Sequence, residues 1–227
     1  MAPRSPMVVA IDGPAGAGKS TVAHAVARRL GYRLVDTGAI YRAVAYVACE
    51  RGVAWDDEAG LGRLVSALAI DFHLDGAKNR VLVDGRDVSD AIRTPDISLG
   101  ASQVSAWPLV REGLLALQRR LAGEGGAVLE GRDIGTVVFP DAPVKIYLDA
   151  TPEERARRRS EELRVRDPHV SAARVLEEVN RRDAQDQKRA VAPLRPASDA
   201  IVLDSTRLSI DEVVRRIEDA VMAARRR

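Results

Sequence analysis

Aromatic side chains are scarce in this chain, at 4% of 227 residues. Stacking platforms for nucleic-acid bases consume aromatics and are not expected here. Cys49 is the single cysteine, so no internal disulfide can form and no cysteine-based zinc site can be built. That fits a reducing compartment, the cytoplasm. An excess of one charge is missing too. The 35 Lys+Arg and 33 Asp+Glu leave a net +2, which argues against nucleic-acid binding through bulk charge. No apolar run nears the roughly 20 residues of a membrane span. The run Met7 to Ile11, stopped by Asp12, is shorter than the about 7–15 apolar residues of a signal-peptide core. His24, His73 and His169 lack the spacing of a metal site. The near-neutral charge and the absence of an exposed heptad lead to the expectation of a monomer.

What is present is enough to fold: 46% hydrophobic and 30% charged residues place the chain among globular proteins. The first run, Met7 to Ile11, is apolar and β-branched, as in a buried parallel strand. Val22, Ala23, Val26, Ala27 and Leu30 then form a helical stripe over Lys19–Leu30, closed by Gly31. A strand over Tyr32–Val35 and a helix over Thr37–Arg51 follow. This alternation predicts a parallel sheet with helices on both faces. Between about 56 and 95 the pattern changes. A short helix over Asp56–Leu68 precedes alternating Ile70, Phe72 and Leu74, and Asp75-Gly76 and Asp84-Gly85 are turn dipeptides, the second flanked by Val81–Val83. These predict an insert with a small antiparallel sheet, left at Thr94-Pro95. The alternation then resumes. Helices are expected over Pro108–Leu121 and Ser171–Asp186, with a loop at Gly123–Gly126. Strands are expected over Ala127–Leu129, Val144–Leu148 and Ala200–Leu203. Thr151 with Glu154, and Ser209 with Glu212, read as capping boxes. The last helix runs into the basic tail Arg225–Arg227.

Gly13-Pro14-Ala15-Gly16-Ala17-Gly18-Lys19-Ser20 fits GxxxxGK[ST] in full, with a buried strand before it and an amphipathic helix after it. Glycines let consecutive N–H groups turn toward phosphate oxygens. The helix start adds partial positive charge beneath them. Lys19 is then expected on the β- and γ-phosphates, and the Ser20 hydroxyl on Mg2+. The loop by itself names no reaction. No Asn-Lys-x-Asp guanine motif and no Leu-Ser-Gly-Gly-Gln transporter motif accompanies it.

Further segments narrow the reading. They are Ile11–Thr21, Asp36-Thr37-Gly38-Ala39-Ile40-Tyr41-Arg42, Ala101–Ser105, Glu130-Gly131-Arg132-Asp133-Ile134-Gly135 through Pro140, Arg182-Asp183 with Asp186, and Arg189–Leu194. Carrying them in this order, the chain resembles the bacterial cytidylate kinases of the nucleoside-monophosphate kinase group. The resemblance implies a three-layer α/β P-loop fold with a parallel core sheet. It implies a monophosphate-binding insert at 56–95 and a short helical lid at 155–170, all within one kinase domain over 1–227. It also implies transfer of the ATP γ-phosphoryl group to CMP and dCMP, with Mg2+. No nucleic acid, membrane or partner protein enters. A phosphate acceptor is already anionic, so no general base is needed, and positioning and charge neutralisation must supply catalysis. Arg, which makes planar bidentate phosphate contacts, accounts for 31 of the 35 basic residues.

Roles follow the matched positions. Gly13 through Thr21 would bind ATP. Asp36, Thr37, Arg42, Ser102, Arg111, Arg132, Asp133, Arg182, Asp186 and Arg189 would bind the acceptor. Asp133 would take a hydrogen bond from the cytosine amine, with Ser102 and Arg111 on the same base edge. Lys19, Arg132, Arg158, Arg159 and Arg182 would act on the transferring phosphoryl. Arg158 and Arg159 belong to a lid cluster with Arg155, Arg157, Arg164 and Arg166. The family often has Ser at Thr37 and Asp at Glu130, so a metal or water role for Glu130 stays open. Trp55 and Trp107 read as packing residues. The alternatives are a related kinase for UMP or another small acceptor, and a P-loop nucleotide switch with little turnover.

Overall fold

A computed structural model describes residues 7–75, 78–123, 125–164 and 168–226. Gly76, Arg166 and Arg227, named above, and Glu124 within the expected Gly123–Gly126 loop lie outside the described residues. The chain divides into two compact units, Leu34–Gly123 and the remainder.

The remainder contains the core of the parallel sheet. Strand β1 (Val8–Asp12) is buried along its whole length. It pairs in parallel with β6 (Ala127–Gly131) on one side and β7 (Val144–Asp149) on the other. Strand β8 (Ile201–Asp204) extends the sheet beyond β7. Strand β2 (Arg33–Asp36) completes the order β2-β6-β1-β7-β8, and its first residue, Arg33, donates its N–H to Gly126 O at 3.0 Å. Val, Ile, Leu and Ala fill β1 and β6 because both faces of such a sheet are covered. The register sets Asp12 beside Gly131 and Tyr147, so β1 and β6 finish together while β7 runs on to Asp149. Ligands bind at such ends in open α/β sheets.

Helix α1 (Lys19–Leu30) packs on β6 and on α8 (Ile210–Arg225). The Ser209–Glu212 capping box of α8 is formed. The box expected at Thr151 is not. The Glu154 N–H does donate to Thr151 Oγ1 at 3.3 Å, but the Thr151 N–H goes to Thr206 Oγ1 at 3.0 Å. The Glu154 carboxylate is drawn to Arg157 and Arg158 instead. Helices α6 (Pro152–Arg164) and α7 (Ala172–Lys188) pack through Ala156, Val175 and Val179, with Leu163, Val170 and Leu176 around them.

The unit Leu34–Gly123 holds α2 (Thr37–Glu50), α3 (Glu58–Ala67), an antiparallel sheet β3-β4-β5, α4 (Pro95–Val104) and α5 (Pro108–Ala122). In the sheet, β3 (Ile70–Asp75) pairs with β4 (Lys78–Val83), and β4 with β5 (Arg86–Asp87). Both Asp84 and Gly85 have positive φ, the conformation that an Asp-Gly hairpin turn requires. Helix α4 begins at Thr94-Pro95, the expected exit of the insert. Thr94 Oγ1 accepts the Ile97 N–H at 3.2 Å and Pro95 opens the helix, so the pair is a helix start. Trp55 donates Nε1 to Ala45 O at 3.0 Å, and Trp107 donates Nε1 to Trp55 O at 2.8 Å. Gly100 lets α4 lie on the Trp55 ring: a Cβ there would stand 2.5 Å from a ring carbon.

Candidate functional site

The phosphate loop joins β1 to α1. A Cβ on Gly13 would lie 2.0 Å from Leu148 O, and one on Gly16 would lie 2.8 Å from Arg155 O; both residues have positive φ. Only glycine permits this wrap at these two positions. The first turn of α1 carries no acidic residue, which leaves its partial positive charge open to an anion. Lys19 is buried and donates Nζ to Pro14 O at 2.6 Å. Burial and the neighbouring Arg132 guanidinium push its ammonium down, against the opposing pull of Glu130, Asp186 and Asp12. Ser20 Oγ donates to Glu130 Oε2 at 2.9 Å, bringing two hard oxygen donors together.

Beyond β6, Arg132 donates Nε to Asp186 Oδ2 at 2.9 Å. Arg189 Nη1 stands 3.8 Å from the other Asp186 oxygen, and its Nη2 donates to Ala192 O at 2.9 Å. Burial would raise the Asp186 carboxyl, but Arg132, Arg189 and Arg182 hold it below the usual carboxylate range. Arg182 is pushed down by burial and by Arg132. The sequence spacing set Arg182 and Asp186 on one helix face. The structure adds Arg132 and Arg189 around the same carboxylate.

The arginine cluster of α6 divides by environment. Arg155 is buried. It donates Nε to Ala150 O at 2.9 Å, and Nη1 to Ala15 O at 3.1 Å and to Asp183 Oδ2 at 2.5 Å. Arg158 donates Nη2 to Ser205 O at 2.7 Å, and Nη1 to Ser205 Oγ at 3.0 Å and Ala17 O at 3.3 Å. Arg159 pairs with Glu162. Arg157 faces solvent between Glu154 and Glu161. Hydrogen bonds from Arg157, with help from Arg158, hold the Glu154 carboxyl down to about 2. The lid expected at 155–170 includes residues 165–167, outside the described residues.

The other predicted acceptor residues belong to the second unit. Asp36 caps α2: Oδ1 accepts the Ala39 N–H at 2.9 Å, and Oδ2 accepts from Arg42 Nη2 at 2.8 Å. Arg42 Nε is buried and has no hydrogen-bond partner among the described residues. Thr37 is buried in the first turn of α2. Arg111, on α5, is buried, donates Nη1 to Ser105 O at 3.0 Å and lies 5.5 Å from the Tyr41 ring centroid. Ser102 sits half-buried on α4. The predicted acceptor set therefore falls into two groups: Asp36, Thr37, Arg42, Ser102 and Arg111 in one unit, and Arg132, Asp133, Arg182, Asp186 and Arg189 in the other.

Sequence reasoning gave no role to Asp12, to Asp183 (the partner of Arg155), to Ser205 or to Tyr41. Asp12, Tyr41 and Asp183 stood inside the segments named above, and Asp12 also showed as a charge closing a buried strand. Among the described residues, no three His, Cys, Asp or Glu side chains gather as a metal cage. No described helix is long and apolar enough to cross a membrane.

The cytidylate kinase family model matches residues 9–223. The cytidylate kinase of Geobacter sulfurreducens is 53% identical over 96% of this chain and 94% of its own length. That of Pelotomaculum thermopropionicum is 49% identical over 96% and 97%. In fold alone, the chain is similar to a shikimate kinase structure from Bacteroides thetaiotaomicron. There the TM-score is 0.51 at 15% identity, over 95% of this chain and 98% of that one. With a family match over residues 9–223 and relatives about half identical over nearly the whole length, this chain belongs to the cytidylate kinase family.

Proposed function

We propose that the chain transfers the γ-phosphoryl group of ATP to CMP, and to dCMP, as a cytoplasmic monomer. The observation that takes this beyond a generic phosphate-loop protein is Arg42. Asp36 engages one guanidinium nitrogen, while the buried Nε has no partner among the described residues. A buried orphan donor is costly, and a phosphate oxygen satisfies it with a charge-assisted bond. A nucleotide switch has no use for such a second phosphate holder.

The acceptor phosphate is already ionised, so no residue need remove a proton to make it nucleophilic. The chain's task is to hold two polyanions in line and neutralise the charge between them. The loop N–H groups and Lys19 take the ATP phosphates. The bound phosphates supply the counter-charge that burial denies Lys19. Arg42 holds the CMP phosphate, with Arg132 and Arg182 on the phosphate side and Asp186 with Arg189 on the sugar side. Asp133 accepts the cytosine amine, with Ser102 and Arg111 along the base edge. Arg158 and Arg159 would turn from their partners Ser205 and Glu162 to the transferring group and exclude water, which would otherwise accept it. Mg2+ fits the Ser20 and Glu130 oxygens. Mg2+ keeps several waters and relies on substrate phosphates rather than on a protein cage. Ser20 and Glu130 would hold it, and it would neutralise charge shared by the β- and γ-phosphates.

The test is ADP release with CMP, dCMP, UMP and AMP, in wild type and in Asp133→Asn. UMP would set a carbonyl oxygen against the Asp133 carboxylate, acceptor facing acceptor. An unpaired buried group costs roughly 1–3 kcal/mol, more when charged, so CMP should win by about 10- to 100-fold. Asp133→Asn should lose CMP activity and narrow the gap. A variant that kept the full ratio would mean the base is read elsewhere. No turnover with any monophosphate would sink the kinase reading.

A further inference from the structure

Asp12 is the last residue of β1 and the one directly before Gly13, yet its side chain makes its hydrogen bonds away from the phosphate loop. Oδ1 accepts the Ile134 N–H at 2.8 Å and Oδ2 accepts the Gly135 N–H at 2.7 Å. These are the two amides that follow Asp133. The turn they open, Ile134–Val138, closes back on the same residue: Asp133 O accepts the Val137 N–H at 2.9 Å and the Val138 N–H at 3.2 Å. Wide helical turns of this kind recur at functional sites. The far end is fastened too. Lys145 donates Nζ to Pro140 O and, at 2.8 Å, to Asp199.

We infer that Asp12 is a positioning residue for acceptor choice: by clamping Ile134 and Gly135 it aims Asp133 at the nucleobase without itself touching substrate. This rests on the proposed reading that Asp133 takes the cytosine amine. The chemistry of the clamp demands a carboxylate. Two N–H groups arrive at two different side-chain oxygens, and Asn offers one acceptor and one donor. Keeping a carboxylate there is costly. Asp12 is 5% exposed, and burial pushes its carboxyl up to about 6 despite both hydrogen bonds, with the nearby Asp133 charge adding to the rise. Simple strand packing would be served better by an apolar residue. A carboxylate fixed by two amides instead gives the adjacent turn a single orientation. That orientation is what distinguishes an amine from a carbonyl on an otherwise similar ring.

The experiment compares kcat/KM for CMP and for UMP in wild type, Asp12→Asn, Asp133→Asn and the double variant, with KM for ATP measured alongside. Asp12→Asn should lower the CMP/UMP ratio by about fivefold or more, chiefly through KM for CMP, with KM for ATP within about twofold. In the Asp133→Asn background it should change the ratio no further. Gly135→Ala approaches the clamp from the other side, should Asp12→Asn fail to fold. Its new Cβ would stand 3.4 Å from Asp12 Oδ2 and 3.2 Å from the pinned Lys145 chain, so it presses the turn away while Asp12 stays intact, and the ratio should again fall. A ratio unchanged in Asp12→Asn, or in Gly135→Ala where that variant stands in for it, overturns the inference when Asp133→Asn still shifts it. If Asp133→Asn also leaves the ratio unchanged, the reading of Asp133 fails, and the inference fails with it.

Discussion

Asp183→Ala removes the carboxylate partner of Arg155. The guanidinium would stay where it is, with its side chain 5% exposed, held by the carbonyls of Ala15 and Ala150. The nearest remaining carboxylate oxygen is on Asp149, 3.7 Å from Nε and 43% exposed. Breaking a buried pair by removing one partner costs about 3–5 kcal/mol, because the other charge is left uncompensated. Asp149 should soften this toward about 3 kcal/mol. For a chain of this size each kcal/mol is worth roughly 2–4 °C, so Tm should fall by about 6–12 °C. Arg155→Met in the same chain removes the stranded charge and should recover most of the loss. Urea unfolding followed by far-UV circular dichroism, on wild type, both single variants and the double, gives the coupling directly. The reasoning is refuted if Asp183→Ala lies within about 1 kcal/mol of wild type, or if the double variant is no more stable than Asp183→Ala.

Three further outcomes are expected. Lys19→Ala should fold normally and lose on the order of 10³-fold or more in kcat; wild-type turnover would remove the loop lysine from the mechanism. Arg158→Ala should lower kcat by roughly 10- to 100-fold while KM for CMP changes little; a rise in that KM alone would make Arg158 a ground-state contact. Asp12 links stability to pH. Its carboxyl is raised to about 6 from 3.8, so its stabilising share is whole below about pH 4 and is lost as pH climbs through 6. About 3 kcal/mol goes across that window. The stability of Asp12→Asn relative to wild type should therefore improve between pH 4 and 7, and unfolding curves showing a constant difference would contradict the raised value.

Much of this was legible beforehand because it is local. The β-branched run of β1, the stripe on α1, the glycine that ends it and the Ser209–Glu212 cap each need only a few neighbouring residues. The phosphate loop was legible for the same reason. Helix α4 was readable but left unread: Thr94-Pro95 carries a start signal, and Ile97, Ala101 and Val104 continue the stripe. Glu154 shows the opposite limit, since its arginine neighbours outcompete the cap that local pattern prescribes. Long-range partners were out of reach. Asp12 meets Ile134 across 122 positions of sequence, and Arg155 meets Ala15 across 140. Nothing local marks either pairing. The fold class therefore emerged from pattern, whereas these long-range partners needed coordinates.

Both tryptophans, Trp55 and Trp107, belong to the unit Leu34–Gly123, joined there by the indole hydrogen bond of Trp107 to the Trp55 carbonyl. Excited beyond the tyrosine band, the protein therefore emits from that unit alone. The phosphate loop sits in the other unit and is optically silent. A titration with CMP can therefore be followed through the emission of that unit on one unlabelled chain. The half that carries Asp36, Arg42 and Arg111 supplies its own dye.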